Sequence, residues 1–252
     1  MSPTTSTYLF GGPNPWTPED WTSSDDRVRG GASHSYLTIT PSSSDDEKTT
    51  ARFHGTLDIH TLGGAGFASQ RTTTTTKEWD LSRFSGLEVH VPRADDKRYT
   101  LTLKDEILPN RPDGRERSSL SWEVDFTVPE GGGRLRFAWK AFRPTYRGRE
   151  LRDGVKPLDL ERVRRVGIMV RSFFGEQEGE FELVVESIRG FETPKEEMRY
   201  KDDVSATTCA VDEEYNEKWG EEMEGEGLSL EAQWMSSSRP WDRLRAMFCC
   251  GI

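Results

Sequence analysis

The stretch RVGIMVRSFFGEQEGEFELVVESI, residues 165–188, contains two apolar runs joined by an acidic centre with a glycine at each end. Read with a period of two, each run places its apolar side chains on a single face: Val166, Ile168 and Val170 in the first run, and Phe181, Leu183 and Val185 in the second. Such alternation is typical of half-buried β-strands. The stretch therefore predicts a long β-hairpin, in which Gly175 and Gly179 are free to take the positive φ angles of its loop.

The same alternation recurs along most of the chain. It is clearest in ARFHGTLDIH (51–60), GLEVHV (86–91), RYTLTLK (98–104), SLSWEVDFTV (119–128) and RLRFAWK (134–140). Turns rich in Gly and Pro separate these segments, and only KPLDLERVRRV suggests a helical turn, which Asp159 is able to cap. Many short strands without intervening helices predict an all-β fold, either a β-sandwich or a jelly roll. The alternation points Trp122 and Trp139 inward.

Composition indicates that part of the chain stays outside any core. Hydrophobic residues make up 33% of the 252 residues, which is low for a compact protein of this length. The net charge of −10 is concentrated between Lys195 and Glu231, where 13 acidic residues face 4 basic ones. An acidic chain without a basic stripe disfavours nucleic acid as the partner. The cysteines, Cys209, Cys249 and Cys250, all lie in the last quarter, so the body holds no disulfide, which fits a reducing compartment.

These shifts in composition divide the chain into regions. Residues 1–20, rich in Thr, Pro and Gly, are expected to form an arm that Trp16 and Trp21 pin to the body. The remaining regions are the β-sandwich (21–192), an acidic linker expected to be disordered (193–232) and an amphipathic tail (233–252). No apolar run is long enough to span a bilayer, and the N-terminus shows neither a secretory signal nor the arginines of a mitochondrial presequence.

The tail RPWDRLRAMFCCGI (239–252) places Trp241, Leu244 and Phe248 at helical spacing with arginines beside them. It predicts a short amphipathic helix with a basic margin. The ending loosely matches the C-a-a-X prenylation pattern, with Cys249 as the acceptor thiol. Acylation of Cys249 or Cys250 and an unmodified terminus are the alternatives. A lipid on Cys249 together with the basic segment would give peripheral membrane contact.

A search for catalytic motifs finds no nucleophile elbow G-x-S-x-G and no glycine-rich loop that opens a helix to hold a phosphate. The best metal candidates are His34, His54, Asp58 and His60, but alternate strand positions lie about 7 Å apart, too far for compact coordination on one strand. Glu123 and Asp125 could serve a glycosidase, although a chain rich in acids offers many such pairs. We therefore expect no enzymatic activity, no cofactor and no metal.

The segment FRPTYRGRELRDG (142–154) concentrates cationic and aromatic side chains in an otherwise acidic protein. Arginine and tyrosine carry much of the binding energy at protein interfaces, since both pair a flat surface with directed donors. We predict contact with a protein partner through Arg143, Tyr146, Arg147, Arg149 and Arg171. The alternative is that these arginines tie the loop to carboxylates of the sandwich.

Arg171 stands beside two adjacent phenylalanines at the edge of the predicted turn. We expect it either to pair with Asp25 and Asp26 or to present its guanidinium to a partner. Phe173 and Phe174 are expected to divide between core and rim in a structural role, because adjacent exposed aromatics are costly unless covered.

Five segments, in the same order along the chain, resemble the complex I intermediate-associated protein 30 family: DDRVRGGASHSYL (25–37), ARFHGTLDIHTLGGAGFASQR (51–71), WDLSRFSGLEVHV (79–91), FRPTYRGRE (142–150) and LDLERVRRVGIMVRSFFGEQEGEFELVVESI (158–188). The resemblance covers about residues 20–192, and the chain resembles a fungal-type member. It implies a galactose-binding-like jelly roll, similar to carbohydrate-binding modules. It also implies a non-catalytic, chaperone-like role in assembling respiratory NADH:ubiquinone oxidoreductase, with complex I subunits or other assembly factors as partners.

The resemblance and the chain ends predict different locations. Family members that act on complex I work inside mitochondria, whereas the missing presequence and the pair Cys249 and Cys250 favour the cytosol or a membrane surface. Two other functions stay open at this point. The chain could be a jelly-roll carbohydrate-binding module, with Trp122 and Trp139 exposed in a groove, or a divergent cytosolic or membrane-peripheral adaptor.

Overall fold

A computed structural model of the chain describes residues 7–42, 45–73, 77–112, 114, 116–152 and 154–192. The predicted linker (193–232) and tail (233–252), including Cys249, lie outside the described residues. The strands are β1 (Tyr8–Phe10), β2 (Trp21–Ser23), β3 (His34–Ser42), β4 (Asp45–Leu57), β5 (Phe67–Thr72), β6 (Gly86–Val91), β7 (Arg93–Ala94), β8 (Tyr99–Lys104), β9 (Ser121–Phe126), β10 (Gly133–Ala138), β11 (Arg143–Tyr146), β12 (Arg149–Glu150), β13 (Arg165–Arg171), β14 (Gly179–Val185) and β15 (Ser187–Phe191).

Short 3₁₀ turns are the helical segments of the described chain, at Pro18–Asp20, Asp26–Arg29, Trp139–Ala141 and Leu160–Arg162. The predicted cap is confirmed, since the backbone N–H of Glu161 donates to the Asp159 carboxylate at 3.2 Å. In the part of the chain that the structure describes, no helix has the length and apolar character needed to cross a membrane.

The strands form a jelly-roll sandwich in which the assigned pairs run antiparallel. One layer is a seven-stranded sheet in the order β12-β11-β9-β8-β13-β5-β2. The other layer consists of two four-stranded sheets, in the orders β1-β15-β6-β10 and β3-β4-β14-β7. Strands β6 and β7 follow each other across Pro92 alone, so the chain itself connects these two sheets. The predicted all-β jelly roll is confirmed.

The core lies between the layers and follows the period-two pattern of the sequence. In β14, Phe181, Leu183 and Val185 are buried and alternate with half-buried positions. Phe53 of β4 packs against Phe181 with ring centroids 4.9 Å apart, and Tyr99 of β8 meets Phe53 across the core at 6.3 Å. Aromatic pairs at such distances stabilise beyond their buried area.

The predicted hairpin over residues 165–188 is wrong. Strand β13 lies in the seven-stranded sheet between β5 and β8, whereas β14 lies in the opposite layer between β4 and β7. The two runs therefore face each other across the core, which buries both apolar faces as well as a hairpin would. The loop between them crosses from one layer to the other, and Gly175 and Gly179 do take positive φ angles of 94° and 85°.

The predicted arm is corrected from Tyr8 onward, because this part of the chain belongs to the sandwich. Strand β1 pairs with β15 at the edge of its sheet. Phe10 stacks on Trp16 with centroids 5.1 Å apart and meets Trp21 at 4.9 Å. The Trp16 indole N–H also donates to the Glu186 carbonyl at 2.9 Å. Buried aromatic contacts thus hold the segment, as expected of the two tryptophans.

Candidate functional site

The predicted cationic segment folds into an edge hairpin with a strained turn. Tyr146 of β11 pairs with Arg149 of β12, and Arg147 and Gly148 between them have φ angles of 53° and 76°. Two-residue hairpin turns with positive φ at both central positions favour Asn-Gly or Gly-Gly. An arginine in this conformation is uncommon, and such outliers concentrate at functional sites.

This turn borders a cavity of about 580 Å³, which we call the arginine-lined cavity. Its lining residues are Leu108, Arg111, Pro112, Arg117, Ser118, Tyr146 and Arg147. The Arg147 guanidinium lies 5.4 Å from the Tyr146 ring centroid, and its Nε donates to Ser118 Oγ at 3.3 Å. Among these described lining residues three are arginines and none is acidic. The cavity therefore suits a group that combines a flat apolar surface with negative charge.

Four of the five predicted partner-binding residues come together on this hairpin. Arg143, Arg147 and Arg149 are exposed, and Tyr146 keeps 41% of its surface accessible. Arg143 lies directly opposite Glu123 of β9, which is almost fully buried. Arg111 and Arg117, which the sequence analysis missed, reach the cavity because the long loop after β8 folds back beside the hairpin.

The structure places Arg171 on β13, outside this hairpin, although its side chain reaches Glu123, the residue opposite Arg143. Its guanidinium donates to Glu123 at 2.9 Å and to both carboxylate oxygens of Asp125 at 2.7 Å. One terminal nitrogen contacts both Asp125 oxygens and the other contacts Glu123, and hydrogen bonds between charged groups are among the stronger polar contacts in proteins. The predicted pairing with Asp25 and Asp26 is wrong, and the supposed glycosidase pair of Glu123 and Asp125 instead anchors an arginine.

Asp25 and Asp26 have matching structural roles. The Asp26 carboxylate accepts from the backbone N–H groups of Ser33 and Phe67, both at 3.1 Å, and from the Ser33 hydroxyl at 2.6 Å. Asp25 makes the same three kinds of contact with Ser35 and Ser69, at 3.0, 2.7 and 2.8 Å. The two carboxylates join the start of β3 to β5, which explains why the chain buries them.

The adjacent phenylalanines behave differently from each other. Phe173 lies between two guanidiniums, with its ring centroid 3.5 Å from Arg98 and 4.8 Å from Arg171. Phe174 is 93% exposed, so its expected structural role is wrong. Both residues have positive φ, 47° and 63°, which a sequence pattern does not indicate.

The outward face of the seven-stranded sheet is occupied by a network of charges. Glu116, in the loop after β8, accepts from Arg165 at 3.0 and 3.2 Å and pairs with Arg71 at 3.0 Å. Lys104 donates to the backbone carbonyl and the hydroxyl of Ser119 at 3.2 and 3.1 Å. Burial, with the neighbouring charge of Arg165, lowers the pKa of Lys104 to about 8. The loop is thereby fastened over this face.

Exposure of Trp122 and Trp139 in a groove would favour a carbohydrate-binding module. Both side chains are half-buried and packed against the core. The Trp139 indole N–H donates to the Phe84 carbonyl at 2.6 Å. Neither ring is laid out in a groove as a stacking surface, so this test does not favour a carbohydrate-binding module.

The four metal candidates are dispersed. His34 and His54 both contact the Tyr36 ring at 5.6 Å, His60 pairs with Glu178 at 3.3 Å, and Asp58 accepts from the Thr61 backbone N–H at 2.9 Å. Within the described ranges, no three His, Cys, Asp or Glu side chains are grouped so that they could hold a metal ion.

The fold and this site define a jelly-roll module that presents a cationic, aromatic surface. The sequence profile of the complex I intermediate-associated protein 30 family matches residues 8–185, and the chain belongs to that family. The match begins at β1, which agrees with the inclusion of this strand in the sandwich.

Three further comparisons describe what the chain is similar to. An uncharacterized protein of Schizosaccharomyces pombe is 43% identical over 183 residues, which are 72% of this chain and 82% of the relative. A family 11 carbohydrate-binding module from Clostridium thermocellum, solved with a mixed-linked tetrasaccharide, is 14% identical with a TM-score of 0.45, covering 69% of this chain and 89% of the module. A second family 11 structure, from a cellulosomal cellulase of that bacterium, is 13% identical with a TM-score of 0.44, covering 69% and 90%.

Proposed function

We propose that this protein is a non-catalytic, chaperone-like binding module in the assembly of respiratory complex I. The arginine-lined cavity holds an acidic segment of a complex I subunit or of another assembly factor. The observation that carries this proposal is the composition of the cavity in a member of a complex I assembly family: its described lining residues include three arginines and a tyrosine, and no carboxylate is among them.

The strain at Arg147 supports the same proposal. A φ of 53° costs the fold free energy that Asn or Gly at this position would not cost. Among the described residues, Arg147 makes one long hydrogen bond, to Ser118, which is a small return for that cost. Its guanidinium is instead displayed at the cavity mouth, where a partner carboxylate would form a charge-assisted pair.

Complementation in a fungus whose respiratory chain contains complex I tests the proposal. We expect deletion of the gene to deplete assembled complex I on native gels and to lower NADH:ubiquinone oxidoreductase activity. The wild-type chain restores both, and a chain with Arg117→Gln and Arg147→Gln does not. The matched control, Arg27→Gln with Lys140→Gln, removes the same two charges from exposed positions outside the cavity and restores both.

Each part of this experiment has an outcome that would count against the proposal. Unchanged complex I after deletion would contradict the assembly role. Full rescue by the cavity variant would leave the assembly role standing but refute the part that we assign to the cavity. Comparable amounts of both variants in the cell show that neither result comes from misfolding.

We also propose that the chain works at a mitochondrial site, with peripheral membrane contact through its tail as the alternative. Fractionation of cells that carry an internally tagged chain, followed by an intact mass of the C-terminus, separates these possibilities. Recovery inside mitochondria with an unmodified terminus supports the first. A lipid mass on Cys249 in a cytosol-facing membrane fraction supports the second and replaces the mitochondrial role with that of a membrane adaptor.

A further inference from the structure

Phe174 is the most exposed large apolar side chain of the described residues, with 93% of its surface accessible. It lies in the loop 172–178, here called the Phe174 loop, and follows another residue with positive φ. Exposed aromatics on strained backbone persist only when the surroundings determine the conformation. The exposure of the Phe174 ring is therefore fixed by the conformation of the loop.

The framework under Phe174 is rigid. Ser172 Oγ donates to the Gly64 carbonyl at 2.9 Å and accepts from the Gly66 backbone N–H at 3.0 Å. Gln177 Nε2 donates to the Arg171 carbonyl at 2.7 Å, which closes the base of the loop. A side chain held in advance in its binding conformation loses little entropy on association. This is the behaviour of an interface anchor.

The margin of this anchor is acidic. Glu176 and Glu178 belong to the same loop and keep 67% and 51% of their side chains exposed. Arg98 pairs with Glu176, and the His60 imidazole lies 3.3 Å from the Glu178 carboxylate. A receptor for the loop needs an apolar floor for the ring and cations around it.

The arginine-lined cavity has this chemistry. Leu108, Pro112 and Tyr146 supply apolar surface, while Arg111 and Arg117 supply charge beside Arg147. The chain already uses the same recognition internally, because Phe173 lies between two guanidiniums. A phenyl ring between arginines is a stable arrangement in which the cations interact with the ring face.

The loop and the cavity of one molecule lie at opposite ends of the seven-stranded sheet. Strand β9 serves as the reference for both positions. Thr145 pairs with Ser121 of β9, and Tyr146 lies one residue beyond this pair. At the other end, Arg171 lies one residue beyond the level of Phe126 on β9. The two levels are separated by seven residues of β9, roughly 23 Å at the usual rise per residue. The hydrogen-bonded loop does not span that distance, so the contact has to form between molecules.

We propose that Phe174 inserts into the arginine-lined cavity of a second copy of this chain, with Glu176 and Glu178 facing its arginines. The loop end of one copy thus contacts the cavity end of the other. When the two copies lie antiparallel, this contact forms twice in the dimer. This inference goes beyond the proposed function. It places self-association and partner binding in competition for one cavity, so a partner that fills the cavity separates the copies.

Sedimentation velocity of the purified full chain, from about 1 µM to about 300 µM, tests the contact. We expect the mass of the wild type to rise with concentration. Phe174→Asn removes the ring with a residue that tolerates positive φ, and Arg117→Gln with Arg147→Gln removes the cations. Each variant should raise the dissociation constant at least about tenfold. Tyr36→Thr, at another exposed aromatic, and Arg27→Gln with Lys140→Gln should associate like the wild type.

Mixing the two defective variants gives the decisive result. The cavity variant still carries Phe174, and the Phe174→Asn variant still carries an intact cavity, so an equimolar mixture should form a one-to-one complex that neither forms alone. A wild type that stays monomeric over the whole range, variants that associate normally, or a mixture that fails to complement would overturn the inference. These outcomes leave the proposed function untouched, because complementation of complex I is measured separately.

Discussion

Substitution of Asp26 tests the account of the paired carboxylates most directly. Asp26 is fully buried, and Asp26→Ala removes the acceptor of two backbone N–H groups and one hydroxyl. The Ser33 hydroxyl retains the Asp58 carbonyl at 3.3 Å, so two N–H groups lose their partner, the buried one of Ser33 and the partly buried one of Phe67. Each such group costs about 1–3 kcal/mol. We therefore expect a loss of about 2–6 kcal/mol in the free energy of unfolding.

Thermal unfolding followed by circular dichroism measures this loss. A domain of this size shifts its Tm by about 2–4 °C per kcal/mol, so Asp26→Ala should lower the Tm by roughly 4–24 °C. Asp26→Asn retains one acceptor oxygen and should lose about half as much free energy. The control Asp96→Ala, at an exposed aspartate, should stay within about 0.5 kcal/mol of the wild type.

The same clamp can be disturbed from the other side. A Cβ added at Gly31 would lie 2.3 Å from Asp26 Oδ1, so Gly31→Ala should be destabilising without any loss of charge. The reasoning is refuted if Asp26→Ala unfolds within about 1 kcal/mol of the wild type, because the three hydrogen bonds would then contribute almost nothing net.

Two further substitutions make independent predictions. Burial opposes ionisation of Glu88, but hydrogen bonds from Arg136, Arg189 and Arg134 outweigh it and hold its pKa below the ordinary value. The wild type should therefore exceed Glu88→Gln by about 1–3 kcal/mol above about pH 4.3, and urea titrations should show the difference vanishing as the pH falls through the lowered pKa. A pH-independent difference would contradict this. Arg147→Asn should raise the Tm by about 1–3 °C, because asparagine accepts the positive φ, whereas Arg147→Gln should not. A destabilised asparagine variant would show that Arg147 is held for the fold.

The strands and most of their inward faces could be predicted from the sequence, but the partners of two strands could not. Alternation in residues 165–171 and 179–185 reports which face of each strand is apolar. It does not report whether two apolar faces lie side by side in one sheet or opposite each other across a core. Both arrangements bury the same side chains, so the hydrophobic pattern is equally satisfied. Here β5, β8, β4 and β7 supply the neighbours of β13 and β14, and those strands are distant in sequence.

The candidate site likewise has one part that could be predicted from the sequence and one part that could not. Arg143, Tyr146, Arg147 and Arg149 lie within one hairpin, so their proximity is a local property that the sequence conveys. Arg111 and Arg117 join them through a loop whose path depends on tertiary ion pairs such as Glu116 with Arg165. Arg171 finds its carboxylates on β9, because β13, β8 and β9 are neighbours in register. The strand register determines which of the many acidic residues pairs with Arg171, and a single sequence does not specify that register.

Few non-glycine residues of the described chain have a positive φ, and they lie at the two surfaces to which we assign binding. Among the described residues, the non-glycine residues with positive φ are Arg147, Phe173 and Phe174. Elsewhere in that part of the chain glycine occupies such positions. A fold selected only for stability would place Asn or Gly at all three, since either relieves strain without disturbing the core. Under the two proposals, recognition offsets the cost in stability of an arginine at the cavity and of an exposed phenylalanine at the opposite end of the sheet.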